Sequence, residues 1–177
     1  NNDAATNDGV TIQNSATVTY DNGETAVTET LNDTTAAQTV VEPLLDISKT
    51  VRNVTNPGVG PVGGDVLEYV ISINNIGNST AFDSNIVDTL DANVLYDASF
   101  TPTALLNGTA VSGFVPVPSG PAAGPLIWGR GNTPIDNTLD IPVGPGQTLE
   151  LTYRVVVQTG IQPNQVISNS VLVDCTS

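Results

Sequence analysis

Leu149-Glu150-Leu151-Thr152-Tyr153-Arg154-Val155-Val156-Val157 is the longest clean alternation of side-chain character in this chain. Successive side chains of an extended strand point to opposite faces, so Leu149, Leu151, Tyr153, Val155 and Val157 share one apolar face. That is the mark of a half-buried strand. The same period recurs outward from it. Leu67, Tyr69, Ile71 and Ile73 face one way; Leu45, Ile47, Lys49 and Val51 share a face; Ile86, Asp88 and Leu90 share a side in a strand near 81–90. A last strand over 165–174 aligns Ile167, Asn169, Val171 and Val173. Weaker signals place strands around 94–100, 109–115, 124–129 and 135–141. Between them lie turn residues, including a Gly/Pro-rich loop at 56–64 and Asn74-Asn75-Ile76-Gly77. No stretch sustains an apolar repeat at helical spacing. Short β-branched runs punctuated by scattered turns predict an all-β sandwich of two packed sheets.

Before Pro43, which marks a joint, the chain is more polar. Residues 10–20 nevertheless alternate, with Ile12, Asn14, Ala16, Val18 and Tyr20 on one face and Gln13, Ser15, Thr17 and Thr19 on the other. Asp21-Asn22-Gly23 signals a turn, and 25–31 and 36–42 are candidate partner strands. The expected organisation is an N-terminal strand arm over 1–43 and a sandwich domain over 44–177. An internal echo links the two parts: Ile12-Gln13-Asn14-Ser15-Ala16-Thr17-Val18 and Ile167-Ser168-Asn169-Ser170-Val171-Leu172-Val173 share the pattern Ile-x-Asn-Ser-x-x-Val.

The chain has 177 residues, 18 acidic side chains against four basic ones, and a formal net charge of −14. Such a surface repels phosphate, which argues against nucleic acid and anionic membranes as partners. No segment is apolar and long enough to span a bilayer as a helix. Histidine and methionine are absent, which removes imidazole catalysis and His-bearing zinc sites. The single cysteine, Cys175, cannot close an internal disulfide and reads as part of a fraying tail. The polar start without an apolar leader reads as a mature chain whose signal peptide has been removed, and hence as an extracellular or cell-surface protein.

The order Leu45-Asp46-Ile47-Ser48-Lys49-Thr50-Val51, Gly64-Asp65, Tyr69-Val70-Ile71-Ser72-Ile73-Asn74-Asn75-Ile76-Gly77-Asn78, Val87-Asp88-Thr89-Leu90 and Ile167-Ser168-Asn169-Ser170 resembles a β-sandwich repeat family of prokaryotic surface proteins. The resemblance implies an immunoglobulin-like sandwich and a structural role as spacer, stalk, or filament or coat subunit. It also makes residues 10–43 similar to the tail that precedes such repeats. The stretch 101–146 fits the pattern less well.

Lys49 is the only lysine, and its alternation points it inward, where lysines are rarely buried without a partner. Asp88 and Asn169 are polar intrusions in two other apolar faces. An inward Lys on the first strand, an inward acid on a middle strand and an inward Asn on the last resembles the immunoglobulin-like domains of bacterial pilins and collagen-binding adhesins. That resemblance implies a spontaneous Lys49–Asn169 amide bond assisted by Asp88. The other reading is a salt bridge to Asp88, or a lysine snorkelling at the sandwich rim. The acidic stretches Asp21–Glu24 and Asp83–Asp91 are candidate calcium ligands, although neither has a calcium-loop spacing and turns use the same residues. Asn32, Asn53, Asn78 and Asn107 open N-x-Ser/Thr sequons. Trp128 suits either a sugar-stacking platform or the core.

No convergent acid, base and nucleophile is legible, so the expectation is not an enzyme. The leading expectation is a subunit of a surface filament, a homopolymer assembled head to tail. In it, Ile12, Asn14, Ala16, Val18 and Tyr20 are the face of a strand added to a neighbour's sheet, as in donor-strand complementation. The alternatives are an adhesin or carbohydrate-binding module using the 101–146 loops, and a spacer repeat of a longer surface protein.

Overall fold

A computed structural model of the chain describes residues 9–24, 27–112, 118, 120–129, 141–162 and 164–176. Its strands in chain order are β1 (Thr11–Ile12), β2 (Ser15–Asn22), β3 (Val27–Thr34), β4 (Gln38–Thr39), β5 (Leu45–Asn53), β6 (Val66–Asn75) and β7 (Phe82–Thr89). They continue with β8 (Val94–Tyr96), β9 (Thr103–Leu106), β10 (Thr109–Ala110), β11 (Leu126–Trp128), β12 (Thr148–Val157) and β13 (Ser170–Thr176). No helix among the described residues is long and apolar enough to cross a membrane.

Two sheets form the sandwich. The larger runs β10-β9-β12-β6-β5, with β8 sharing the β9 edge of β12; the smaller runs β11-β7-β13. The alternation that opened the sequence is realised residue by residue: every second side chain of β12 from Leu149 to Val157 is buried, and those between are half-buried. Leu67, Tyr69, Ile71 and Ile73 of β6 join them in one core with Ile86, Leu126 and Trp128 of the smaller sheet. The Trp128 ring lies 5.1 Å from that of Tyr153, which stacks on Tyr69 at 5.5 Å. Trp128 is therefore a core residue, only 2% exposed, and offers no face to a sugar.

On the outer face of the larger sheet, Arg52, Glu68 and Arg154 are direct cross-strand neighbours on β5, β6 and β12. Each arginine takes one carboxylate oxygen of Glu68, through Nε at 2.7 and 2.9 Å. This pairing explains how an outward glutamate comes to be 7% exposed. Burial works against its ionisation, but the bonds from both arginines win and hold Glu68 below the usual carboxylate range.

The motifs carrying the family resemblance have structural jobs. Asp65 accepts from Asn53 Nδ2 and Asn56 Nδ2, both at 2.8 Å, and from the Val62 amide at 3.1 Å, closing the 53–65 loop. Asn75, fully buried, donates to the Ser79 and Val143 carbonyls at 2.7 Å and accepts from the Leu44 and Gly77 amides at 3.2 and 3.0 Å. At Gly77 a Cβ would sit 2.3 Å from Leu44 N, so only glycine lets 42–44 pass this close. The amides of Asn78 and Ser79 bond the Glu42 carbonyl, and Pro43 is buried.

Several expected strands differ. The 10–20 strand breaks at Gln13-Asn14, because the Asn14 amide turns to Thr35 Oγ1 at 3.0 Å instead of to a ladder partner. The partner strands lie at 27–34 and 38–39 rather than 25–31 and 36–42. The strand expected over 94–100 ends at Tyr96, where Asp97 starts a turn by accepting from the Ser99 amide and hydroxyl. Of the described part of 109–115 only Thr109–Ala110 is strand; 113–117 and 130–140, and with them nearly all of the strand expected over 135–141, lie outside the described residues. β9 was unexpected, since Thr103-Ala104-Leu105-Leu106 lacks clean alternation. The tail reading of Cys175 is also corrected: it sits inside β13, 8% exposed, one step further along the inward row of Val171 and Val173.

Candidate functional site

The inward residues singled out on β5, β7 and the last strand come together between the sheets. β5 is the edge strand of the larger sheet, paired to β6 with Lys49 opposite Ile71. β7 is the middle strand of the smaller one, with Asp88 flanked by Leu126 and Val171. Lys49 Nζ donates to Asp88 Oδ2 in an ion pair whose side chains are 12% and 0% exposed. The ammonium also lies over the Tyr69 and Tyr153 rings, 4.9 and 5.6 Å from their centroids. Asn169 Nδ2 donates to the Tyr153 hydroxyl at 2.8 Å, and that hydroxyl donates to Asp88 Oδ2 at 2.7 Å. Tyr153 thus connects Asn169 to the ion pair. It was read only as core, although a phenol on an inward row needs a polar partner and so signals one.

Burial pushes the Lys49 amine down from its ordinary pKa, and Asp88 offsets this only in part. Burial first, and Asp88 second, push the Tyr153 hydroxyl far up, so it stays a donor at neutral pH. Asp88 Oδ1 and Asn169 Oδ1 are both buried without a hydrogen-bond partner. The rim reading of Lys49 does not survive this geometry; the salt bridge does.

The arm residues lie elsewhere. β2 and β3 form a two-stranded ribbon of their own, and β1 and β4 extend the same fold-back toward its open end. Ala16, Val18 and Tyr20 share a face with their partners Asp33, Leu31 and Glu29. Val18 is 58% exposed, Leu31 61%, Tyr20 43% and Ile12 62%. The opposite face is polar, stitched by Thr17 to Asn32 and Thr28 to Asp21 at 2.8 and 3.0 Å. Asn14, also exposed, stands just before the first residue of β2, as Asn169 stands just before the first residue of β13.

The acidic stretches do not converge. Asp21 binds Thr28, Asp83 binds Thr176, Asp91 binds the Asn93 and Ser168 amides, and Asp88 binds Lys49. Among the described residues no three carboxylate, thiol or imidazole groups are placed to hold a metal ion. Of the sequons, Asn78 is exposed; Asn53 ties its amide to Asp65, Asn32 accepts from Thr17, and Asn107 accepts from the Thr148 amide.

No protein-family model matches the sequence, and no curated protein matches it. Solved structures do. The full-length major pilin RrgB of Streptococcus pneumoniae is similar at TM-score 0.52 and 19% identity, over 78% of this chain and 24% of that one. BcpA, the major pilin subunit of Bacillus cereus, is similar at TM-score 0.51 and 14% identity, over 91% of this chain and 43% of that one. The chain therefore spans less than half the length of either pilin. At such identities the likeness is one of fold: an all-β, immunoglobulin-like sandwich of the kind found in pilus backbone proteins.

Proposed function

We propose that this chain is a structural subunit of an extracellular surface fibre, joined head to tail by adding its N-terminal ribbon to a neighbour's sheet. The observation that carries the reading is the β2–β3 ribbon, which leaves Val18, Tyr20 and Leu31 to solvent on one face beside a sandwich of pilin fold. An isolated two-stranded hairpin is at best marginally stable in water, so such a ribbon calls for a further strand and a packed cover. Strand addition supplies main-chain hydrogen bonds and pockets for alternate side chains. A contact between two different patches propagates as a fibre wherever its rotation does not close into a ring. Removing residues 1–20 is expected to leave soluble monomers; fibres that form without them overturn the assembly mechanism.

Within each subunit, Lys49, Asp88 and Asn169 are proposed to form a cross-link. Lys49 passes its proton to Asp88 within the ion pair. The freed amine attacks the Asn169 side-chain carbonyl, whose oxygen takes a hydrogen bond from the newly protonated carboxyl. The carboxyl hands its proton to the amide nitrogen and takes one from the attacking nitrogen; the C–N bond to the amide nitrogen breaks and ammonia leaves, giving a Lys–Asn amide with Asp88 left protonated. Burial favours the neutral amine this step needs, and the held geometry replaces a bimolecular encounter. Intact mass is expected to fall short of the sequence sum by one ammonia; equality with the sum leaves the ion pair and rules out the bond.

One observation favours a second reading, a spacer repeat within a longer surface polypeptide. The echoed Asn-Ser pairs 14–15 and 169–170 both stand at the entry to a strand, and β2 and the sandwich's last strand both open Ser-x-x-Val. A compact monomer at all concentrations would select that reading.

A further inference from the structure

We propose that the acceptor for the ribbon is the free edge of β5 together with the apolar groove beside it, and that the occupant is β2 of a second copy of this chain. The inference rests on the strand addition proposed above and names its other half. β5 ends the larger sheet: it pairs with β6, and among the described residues no strand pairs with its other edge. Beside that edge, between β5 and residues 165–167, lies a groove of about 320 Å³ lined chiefly by Val51, Val59, Leu67, Tyr69 and Ile167. Val51 is 55% exposed and Val59 65%, so the groove wall is uncovered apolar surface.

Three features select the ribbon as occupant. Its exposed face presents Ala16, Val18 and Tyr20 at every second position, the spacing at which an added strand fills a groove beneath an edge. Among the described residues β2 pairs only with β3, leaving its other side for a new partner. Charge agrees as well. Arg52, on β5 and next to Val51, is the most exposed of the described cations, its side chain 69% exposed against 28% for Arg154 and 12% for Lys49. That exposed guanidinium stands at this edge on a chain of net charge −14. The ribbon brings Asp21, Glu29 and Asp33, and opposite charges across neighbouring strands attract. One copy's groove filled by another's ribbon leaves the first ribbon and the second groove free, which is the geometry of an open chain.

The test pairs two full-length variants, Val51→Arg in the groove and Val18→Arg on the ribbon, with Val59→Arg as a second groove variant. All three residues are exposed, so the folds are expected to stay intact, checked by circular dichroism and thermal melting. Each variant alone is expected to lose self-association in sedimentation velocity. Mixed in equal amounts, Val51→Arg and Val18→Arg are expected to form a heterodimer and stop there, since one intact ribbon meets one intact groove. Fibres that survive both groove variants but not Val18→Arg overturn the groove and leave strand addition standing. Association that survives all three, or a wild-type chain that never associates, overturns both.

Discussion

Lys49 shows how one side chain concentrates the chemistry of this domain. Its period-2 placement made an inward lysine legible, and the same logic exposed Asp88 and Asn169. Tyr153 was not legible as a connector, because alternation gives the face on which a ring lies but not where its hydroxyl points. A buried carboxylate stripped of its cation is costly: of the unfolding free energy that Lys49→Met removes in urea denaturation, about 3–5 kcal/mol is expected to come from the orphaned charge. Adding Asp88→Leu removes the orphaned charge and should recover that part. A cross-link closing a loop of order 100 residues contributes about 5 kcal/mol in the chain-entropy account. The double variant should therefore still fall short of wild type by about that amount. Full recovery would mean an ion pair with no covalent bond.

At the scale of elements, β6 and β12 were readable because both faces obey one rule. The apolar row is buried, and the outward row is mostly polar, with Glu68 paired to Arg52 and Arg154. The region between β7 and β12 was not, because its strands are too short to establish a period. β8 has three residues and β10 two, and β9 gains its place from pairing with β12 rather than from its own pattern. The break at Gln13-Asn14 was equally hidden: Thr35 captures the Asn14 amide from 21 residues away. The arginine–glutamate row has a pH signature. Glu68 is held below its ordinary value when folded, so in acid the unfolded chain binds more protons than the folded one. Its stabilisation is complete above the usual glutamate range and is lost as pH falls through the depressed folded value. Glu68→Gln should lower stability at neutral pH and flatten the acid limb of melting temperature against pH. Asp65 and Asp91, also depressed by their hydrogen bonds, would keep a residual slope. An unchanged acid limb would contradict this assignment.

For the whole molecule, the described cations are all committed: Lys49 to Asp88, and Arg52 and Arg154 to Glu68. The remaining acids form a surface that disfavours casual contact between copies, so the proposed self-association has to come from a specific patch. The exposed apolar residues supply two such patches, on the ribbon and on the β5 groove. That the N-terminal segment carries a strand was legible in its alternation. The turn at Asp21-Asn22-Gly23 made a hairpin partner legible as well; the partner's bounds, 27–34, were not. Amide hydrogen exchange over residues 15–22, compared between dilute monomer and concentrated protein, tests the account most directly. Strand addition predicts that amides on the free side of β2 slow markedly on concentration, together with those on the free edge of β5. Exchange in β2 that is equally fast in both samples would contradict it.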